Sequence, residues 1–181
     1  MDQERAWIEQ ALGGDRAAFG QLVRAFERPV YNLTYRMLGN PAEAEDAAQE
    51  TFLRAYSKLA TYQPERKFVN WLLSIASHYC IDRLRRKGRA PQLSLEEPLP
   101  PEWLTSDAPR PDEVVNKKQE GERVRKVLDT LPSDYRAAVV LRYWYGLSYQ
   151  EIAETTGSTE SAIKSRLHRA RRMMATRLQP A

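Results

Sequence analysis

The chain has 181 residues and a formal net charge of +4, which is room for one or two small domains of mildly basic character. With so small an excess, the position of charge carries more information than its total. The single cysteine, Cys80, excludes an internal disulfide and suits a reducing cytoplasm, and neither the charged start MDQERAWIEQALGGD nor any later stretch has the apolar length of a secretion signal or a membrane span.

In chain order, the first segments show helical periodicity and none alternates like a strand. GDRAAFGQLVRAFERPVYNLTYRMLGN places Phe19, Leu22, Val23 and Phe26 at helical spacing, and Pro29 predicts a kink or restart. Asn40-Pro41 is a helix start, an N-cap followed by proline. The next helix sets Ala48, Phe52, Ala55 and Leu59 on one face and Asp46, Gln49 and Glu50 on another. After the break YQPER, Phe68, Trp71, Leu72, Ile75 and Leu84 predict a buried stripe. That helix ends in DRLRRKGR, where Arg83, Arg85, Arg86, Lys87 and Arg89 gather without an acid after Asp82. A helix dipole accounts for two or three of these cations; the surplus suits a phosphate backbone. Tyr62, Phe68, Trp71 and Tyr79 lie upstream. Aromatics beside cations suit single-stranded nucleic acid, whose unstacked bases need flat platforms. Phe68 and Trp71 read as core, and Tyr62, in a polar break, is the better platform.

Composition then shifts. GRAPQLSLEEPLPPEWLTSDAPRPDEVV is rich in proline and acid and has no helical pattern. The expectation is an all-α fold of two helical domains, residues 1–88 and 116–181, joined by a flexible acidic linker over 89–115. In the second domain Val124, Val127, Leu128 and Leu131 line one helix. Another starts at Pro132 and stops at Gly146. Two short helices follow, meeting at Gly157-Ser158 as a helix-turn-helix does. Ala153 is small where the helices cross, Gly157 supplies the turn, and Ile163 anchors the second helix. Ser148 with Glu151 forms a capping box and Thr159 caps the second helix. Residues 159–181 hold six Lys or Arg and one acid. A solvated face mixes both signs, whereas a single-sign face on this helix suits the major groove. Glu160, Ser161, Lys164 and Ser165 stand where base edges are read. Arg166, His168, Arg169 and Arg172 stand where phosphates are held. Met173 and Met174 read as core filler.

These residues resemble a known family over nearly the full chain. YRMLGNPAEAEDAAQETFLRAYSKL looks like region 2.1–2.2 of bacterial sigma factors of the extracytoplasmic-function (ECF, group IV) type. FVNWLLSIASHYCIDRLRRK is similar to region 2.3–2.4, and LPSDYRAAVVLRYWYGLSYQEIAETTGSTESAIKSRLHRARRMM resembles region 4. The resemblance implies a sigma factor that directs promoter-specific transcription initiation. It implies a first domain that melts and captures the −10 element and a second that reads the −35 element as duplex. It places a base-capturing loop around residues 61–69. The implied −10 set is Tyr62, Lys67, Asn70, Trp71, Ser74, His78, Arg83, Arg85 and Arg86. Arg142, Tyr149 and Thr159 join the helix residues above in the implied −35 set. Asp46, Gln49 and Glu50, with Phe52 and Arg54, are implied to dock on the polymerase. The implied partners are core RNA polymerase, through its β′ clamp helices and β subunit, promoter DNA, and an anti-sigma factor, with no membrane insertion by the chain itself. The linker is implied to thread toward the active-site channel. Two positions depart from the family pattern: His78 stands where asparagine is common, and SAIKSRL replaces the common Gly-Thr-Val lead-in.

The residues alone also admit a self-sufficient helix-turn-helix repressor or activator, with the first domain dimerising or binding a ligand. The second basic cluster and the linker weigh against it. A nucleic-acid-processing enzyme would need an acid, base or metal set. His78 and His168 lie in different blocks, His78 and Cys80 point to different helix faces, and ALGGD lacks the Lys-Ser/Thr of a phosphate loop. No cofactor or metal is expected.

Overall fold

The computed structural model describes residues 2–88 and 117–178, so the linker expected over 89–115 lies outside the described residues. All regular structure among them is helical: α1 (Asp2–Leu12), α2 (Arg16–Leu38), α3 (Pro41–Ser57), a single 3-10 turn at Leu59–Thr61, α4 (Phe68–Arg86), α5 (Lys117–Asp129), α6 (Ser133–Tyr145), α7 (Tyr149–Thr156) and α8 (Glu160–Leu178). The chain divides into two compact units, Met1–Cys80 and Ile81–Ala181, so the division falls inside α4.

The first unit is organised by the α2–α3 hairpin. The Asp15 carboxylate caps α2 by accepting the N–H groups of Ala17 and Ala18 at 2.8 and 3.2 Å. Gly39 ends it at φ 72°, a left-handed conformation that a side chain would strain. Asn40 then starts α3, its side chain accepting the Glu43 N–H at 3.1 Å, with Pro41 in the first turn. Across the hairpin the buried Thr34 hydroxyl donates to the Ala44 carbonyl at 2.8 Å. This ties the helices at a point with no access to water, where an unmet carbonyl is costly. The α3 face of Ala48, Phe52 and Ala55 is buried as expected, with Leu59 beyond it. Helix α4 meets α2 through Phe26 and Phe68, whose ring centroids lie 5.5 Å apart.

Two expectations change here. Pro29 does not restart the helix; α2 runs from Arg16 to Leu38 through it. Proline removes only one ladder donor, and the buried Val30, Leu33 and Met37 that follow hold the helix on course. In α4, Phe68, Leu72 and Leu84 are buried, but Trp71 and Ile75 are only half-buried.

In the second unit α6 is the central helix and is buried almost throughout, from Tyr135 to Leu141. Helices α7 and α8 pack on it, and α5 packs on α8. Helix α5 stops at Asp129, so Leu131 is buried in the connection rather than on the helix, and Val124 is 39% exposed. Pro132 precedes α6, and Gly146 ends it at φ 64°. Arg136, 2% exposed, governs the α5–α6 turn. It donates to the Asp129 carboxylate at 3.1 Å and to the Asp129 carbonyl at 3.0 Å, so it neutralises its own charge and caps the end of α5.

Replacing Arg136 by Met should lower the unfolding free energy by about 2–4 kcal/mol, because the α5 carbonyls lose their donor in a dry site. Asp129→Asn should cost less than about 1.5 kcal/mol, since that carboxylate is half-exposed and Asn still accepts. Urea denaturation of the two variants checks the difference; equal losses would contradict it.

Candidate nucleic-acid interface

The turn between α7 and α8 is built by three local devices. Ser148 and Glu151 form a reciprocal capping box, with bonds of 3.1 and 2.8 Å. Gly157 turns the chain at φ 62°, and the Ser158 N–H closes on the Ala153 carbonyl at 2.8 Å. Thr159 then accepts the Ala162 N–H at 3.1 Å and starts α8. Ile163, Leu167 and Ala170, at i, i+4 and i+7, are buried. With that face turned inward, Thr159, Glu160 and Ser161 are exposed, Lys164, Ser165, Arg166, His168 and Arg169 are half-buried, and Arg172 is exposed. The structure thus leaves Thr159, Glu160, Ser161 and Arg172 on the solvent-facing side of α8, with Lys164, Ser165 and Arg169 part-covered, while Arg166 Nε and His168 Nε2 are enclosed. Met173 and Met174 are half-buried, so they close the edge of the core rather than fill it.

The helix carries internal order in its charges. Lys164 pairs with Glu160 at 3.0 Å and its ammonium lies 5.9 Å from the centroid of the Tyr149 ring. Arg142 lies over the same ring at 5.0 Å and donates to the Leu147 carbonyl at 2.9 Å. Arg166 Nε is enclosed with no hydrogen-bond partner. Burial, together with the guanidinium groups of Arg171, Arg172 and Arg169, holds the His168 imidazole below the ordinary histidine range. A cation on that ring would face cations already present.

A second surface runs along α4. At 100° per residue Lys67, Asn70, Trp71, Ser74, His78 and Arg85 fall on one stripe. Lys67 and His78 are exposed and Asn70, Trp71 and Ser74 are half-buried, while Arg85, beyond the division in α4, donates to both carboxylate oxygens of Asp134 at 3.0 and 2.9 Å. Arg86 flanks the stripe. Arg83 falls nearly opposite it and is half-buried, so the structure does not group it with the others. The His78 Nδ1 lies 2.8 Å from the Ser74 carbonyl. A carbonyl only accepts, so Nδ1 carries the proton and Nε2 is an acceptor in the neutral ring. Tyr62 does not stand free as a lone platform. Its hydroxyl donates to the Arg66 carbonyl at 2.6 Å, and its ring lies 5.2 Å from Phe68 and 5.5 Å from Trp71. Burial first, then Glu4 and Glu65 against the opposing Arg5, raises its phenol, which stays protonated. The loop over residues 61–67 is thereby folded onto an aromatic cluster.

A third surface is the groove between α2 and α3, about 960 Å³, lined by Phe19, Val23, Tyr31, Phe52, Leu53 and Tyr56 among others. Asp46 and Gln49 are exposed. Glu50 is held by Arg54 at 2.7 Å, and Arg54 also lies 4.8 Å over the Tyr79 ring. Phe52 is buried, so it forms the groove floor rather than an exposed contact. Leu53 and Tyr56, 67% and 42% exposed, were absent from the sequence-predicted set. The signal was available: they continue the Asp46–Gln49 stripe at helical spacing, and an exposed Leu on a polar face is unusual. In the second unit Val124, Val127, Leu128, Tyr143, Trp144 and Met174 line a smaller apolar groove of about 400 Å³, also unforeseen. Among the described residues no group of three or more His, Cys, Asp or Glu is placed to hold a metal ion. None of the described helices is long and apolar enough to cross a membrane.

A helical unit is followed along the chain by a helix-turn-helix unit, and this is the order of regions in the sigma-70 class. Two family models match in that order: Sigma-70 region 2 over residues 22–90 and Sigma-70, region 4 over residues 121–174. The chain is 36% identical to the ECF RNA polymerase sigma factor SigW of Bacillus subtilis over 179 residues, covering 95% of each. It is 38% identical over 164 residues to the ECF RNA polymerase sigma factor SigE of Mycolicibacterium smegmatis, spanning 89% of this chain but 63% of that protein's length. The solved structure of CnrH in complex with the cytosolic domain of CnrY superposes with a TM-score of 0.68 at 26% identity, covering 96% of both chains. The sigma factor RpoE of Bartonella quintana, solved with the anti-sigma factor NepR, shares the fold at a TM-score of 0.64 and 22% identity, over 88% of this chain and 96% of that one. The chain belongs to the extracytoplasmic-function sigma factors, a family of promoter-directed transcription initiation.

The His168 shift sets a pH dependence. Its lowered folded value means that the unfolded chain takes up a proton first as pH falls. The associated stability is therefore present above an ordinary histidine value near 6.5 and is lost as pH falls through the folded value. Thermal melting between pH 8 and pH 5 should show a decline that His168→Gln reduces; an identical pH profile in that variant would contradict the assignment.

Proposed function

We propose that the chain binds core RNA polymerase and directs it to promoters by holding the −35 element as duplex on α8 and the −10 element as melted strand on α4. The observation that carries this reading is the two-sidedness of α8. Ile163, Leu167 and Ala170 are buried on the unit's core, Arg166 is half-buried at the flank of that face with its Nε enclosed, and Lys164, Arg169 and Arg172 lie outside it. A helix so oriented behind a glycine turn has the geometry of a major-groove reader. Glu160 and Lys164, near its start, supply an acceptor and a donor for base edges. Arg169 and Arg172 supply phosphate contacts that fix register without reading sequence, beside the half-buried Arg166 and His168.

On α4 the reaction is one of binding rather than bond chemistry. Unpaired bases released from the stack meet the Trp71 ring and the polar groups of Asn70, Ser74 and His78, while Lys67 holds the strand's phosphates. The folded loop around Tyr62 offers an aromatic wall for a flipped base. Arg83 has a packing role on this reading. The stripe of Asp46, Gln49, Leu53 and Tyr56, beside the α2–α3 groove, is the docking surface for the β′ clamp helices. Its apolar centre and polar rim have the composition of an interface. Further contacts to the β subunit and sequestration by an anti-sigma factor belong to the same reading. The structures of CnrH with CnrY and of RpoE with NepR support the latter by analogy.

The test is run-off transcription with core polymerase and a genomic promoter library. The reading expects transcripts that appear only when the protein is added; tight binding to duplex operators by the protein alone, with no dependent transcript, would instead favour a self-sufficient repressor or activator. Arg169→Ala should weaken promoter binding across all sequences and reduce the salt slope by about one phosphate's worth. Lys164→Ala should change preference among −35 variants by about 1–3 kcal/mol at one base pair, and equal losses on every variant would refute that role. Asp46→Arg with Leu53→Ala should weaken holoenzyme assembly at least about tenfold with an unchanged melting curve; unchanged assembly would sink the docking surface.

A further inference from the structure

We infer that Tyr149 is a positioning residue whose ring acts as a shared cation platform, fixing Arg142 and Lys164 as one preassembled acceptor-binding unit. The inference rests on the duplex reading of α8 given above and assigns Tyr149 a role other than direct contact with DNA.

Tyr149 is the first residue of α7, directly after the Ser148 cap. The capping box holds both Ser148 and Glu151, so the start of this helix is pinned and the ring has a fixed origin. Two cations from two other helices converge on it. Arg142, in the last turn of α6, places its guanidinium 5.0 Å from the ring centroid. Lys164, one turn into α8, places its ammonium 5.9 Å away. Each is held by a second, directional contact: Arg142 donates to the Leu147 carbonyl, and Lys164 pairs with Glu160. One ring from α7 therefore links side chains of α6 and α8.

Charge explains what this arrangement is for. Two like charges gathered on one neutral ring repel, and only Glu160 offsets them in the contacts described. An approaching phosphate oxygen, or the O6 and N7 acceptors of guanine, would relieve that repulsion. The ring face is weakly attractive to both cations and carries no net charge, so it orients them without cancelling either. A lysine otherwise has four flexible bonds to order on binding; holding it in place beforehand lowers that cost. Lys164 thereby reads with the definition expected of a shorter side chain, and Arg142 is held at the edge of the same surface.

The test uses the full-length protein in holoenzyme on a promoter selected from the genomic library, with single-base variants of its −35 element. Discrimination is the ratio of transcript from the selected sequence to that from each variant. Tyr149→Leu should lower discrimination about two- to fivefold at the base pair that Lys164→Ala affects. Tyr149→Phe, which keeps the ring, should retain it. In a Lys164→Ala background Tyr149→Leu should cause no further loss at that pair. Equal losses for Phe and Leu, or an undiminished Leu effect without Lys164, would overturn the platform. A readout independent of DNA and of variant folding is the NMR shift of the Lys164 ε-methylene in the wild-type chain. Ring-current displacement upfield supports the platform, and random-coil shifts overturn it. If the wild type drives no −35-dependent transcript while the ε-methylene is displaced, the duplex reading fails and the platform stands.

Discussion

The burial of Ile163 fixes everything that α8 can do. It has no accessible surface, and Leu167 and Ala170 continue its line into the core formed with α6 and α7. A helix has one azimuth once such a face is committed. Full burial of two branched apolar side chains contributes about 3–6 kcal/mol, far more than any single surface ion pair. Packing of that face therefore fixes the azimuth of the cations the helix carries, and Glu160 pairs with Lys164 among them. The same packing acts on His168: burial first, then the neighbouring Arg171, Arg172 and Arg169, lowers the imidazole below the ordinary histidine range.

The first unit solves a related problem with different parts. Gly39 and Asn40 make the α2–α3 turn, and Thr34 ties the two helices across it. With the Ala44–Ala48–Phe52–Ala55 face committed to the core, α3 has to present Asp46, Gln49, Leu53 and Tyr56 outward. Small alanines at the contact allow the helices close approach, and the groove beside them stays open. In α4 the rule is the same again. Burial of Phe68, Leu72, Ala76 and Leu84 leaves Lys67, Asn70, Trp71, Ser74 and His78 along the opposite side. Three surfaces with three chemistries thus arise from three amphipathic helices, each oriented by its own apolar face.

Much of this was legible in the sequence because it depends on local rules. The Asn40-Pro41 start, the Ser148–Glu151 capping box, the Gly146 and Gly157 stops and the Ile163 anchor each follow from residue type and spacing. What escaped depends on neighbours distant in sequence. Pro29 looks like a break in isolation, yet the packing of Val30 and Leu33 carries the helix through it. Arg83 looks like one more cation in a run, yet helical phase turns it away from Arg85. Tyr62 looks like a lone aromatic in a polar loop, but Phe68 and Trp71 fold it into a cluster. Leu53 and Tyr56 were legible in principle from the phase of α3; only their conjunction with the α2 groove makes them a surface. The gathering of Arg142 and Lys164 on Tyr149 needs three helices to be placed, and no local pattern announces it.

The central claim is that one chain holds promoter DNA in two states, duplex on α8 and melted strand on α4. Permanganate reactivity of thymines in a promoter complex reports strand opening directly. On a promoter selected with this protein, holoenzyme should render thymines of the −10 element reactive while those of the −35 element stay paired, and Trp71→Ala should abolish the −10 reactivity with −35 protection retained. Reactivity at −10 that is the same with core polymerase alone, or that survives in the Trp71 variant at full strength, would contradict the account.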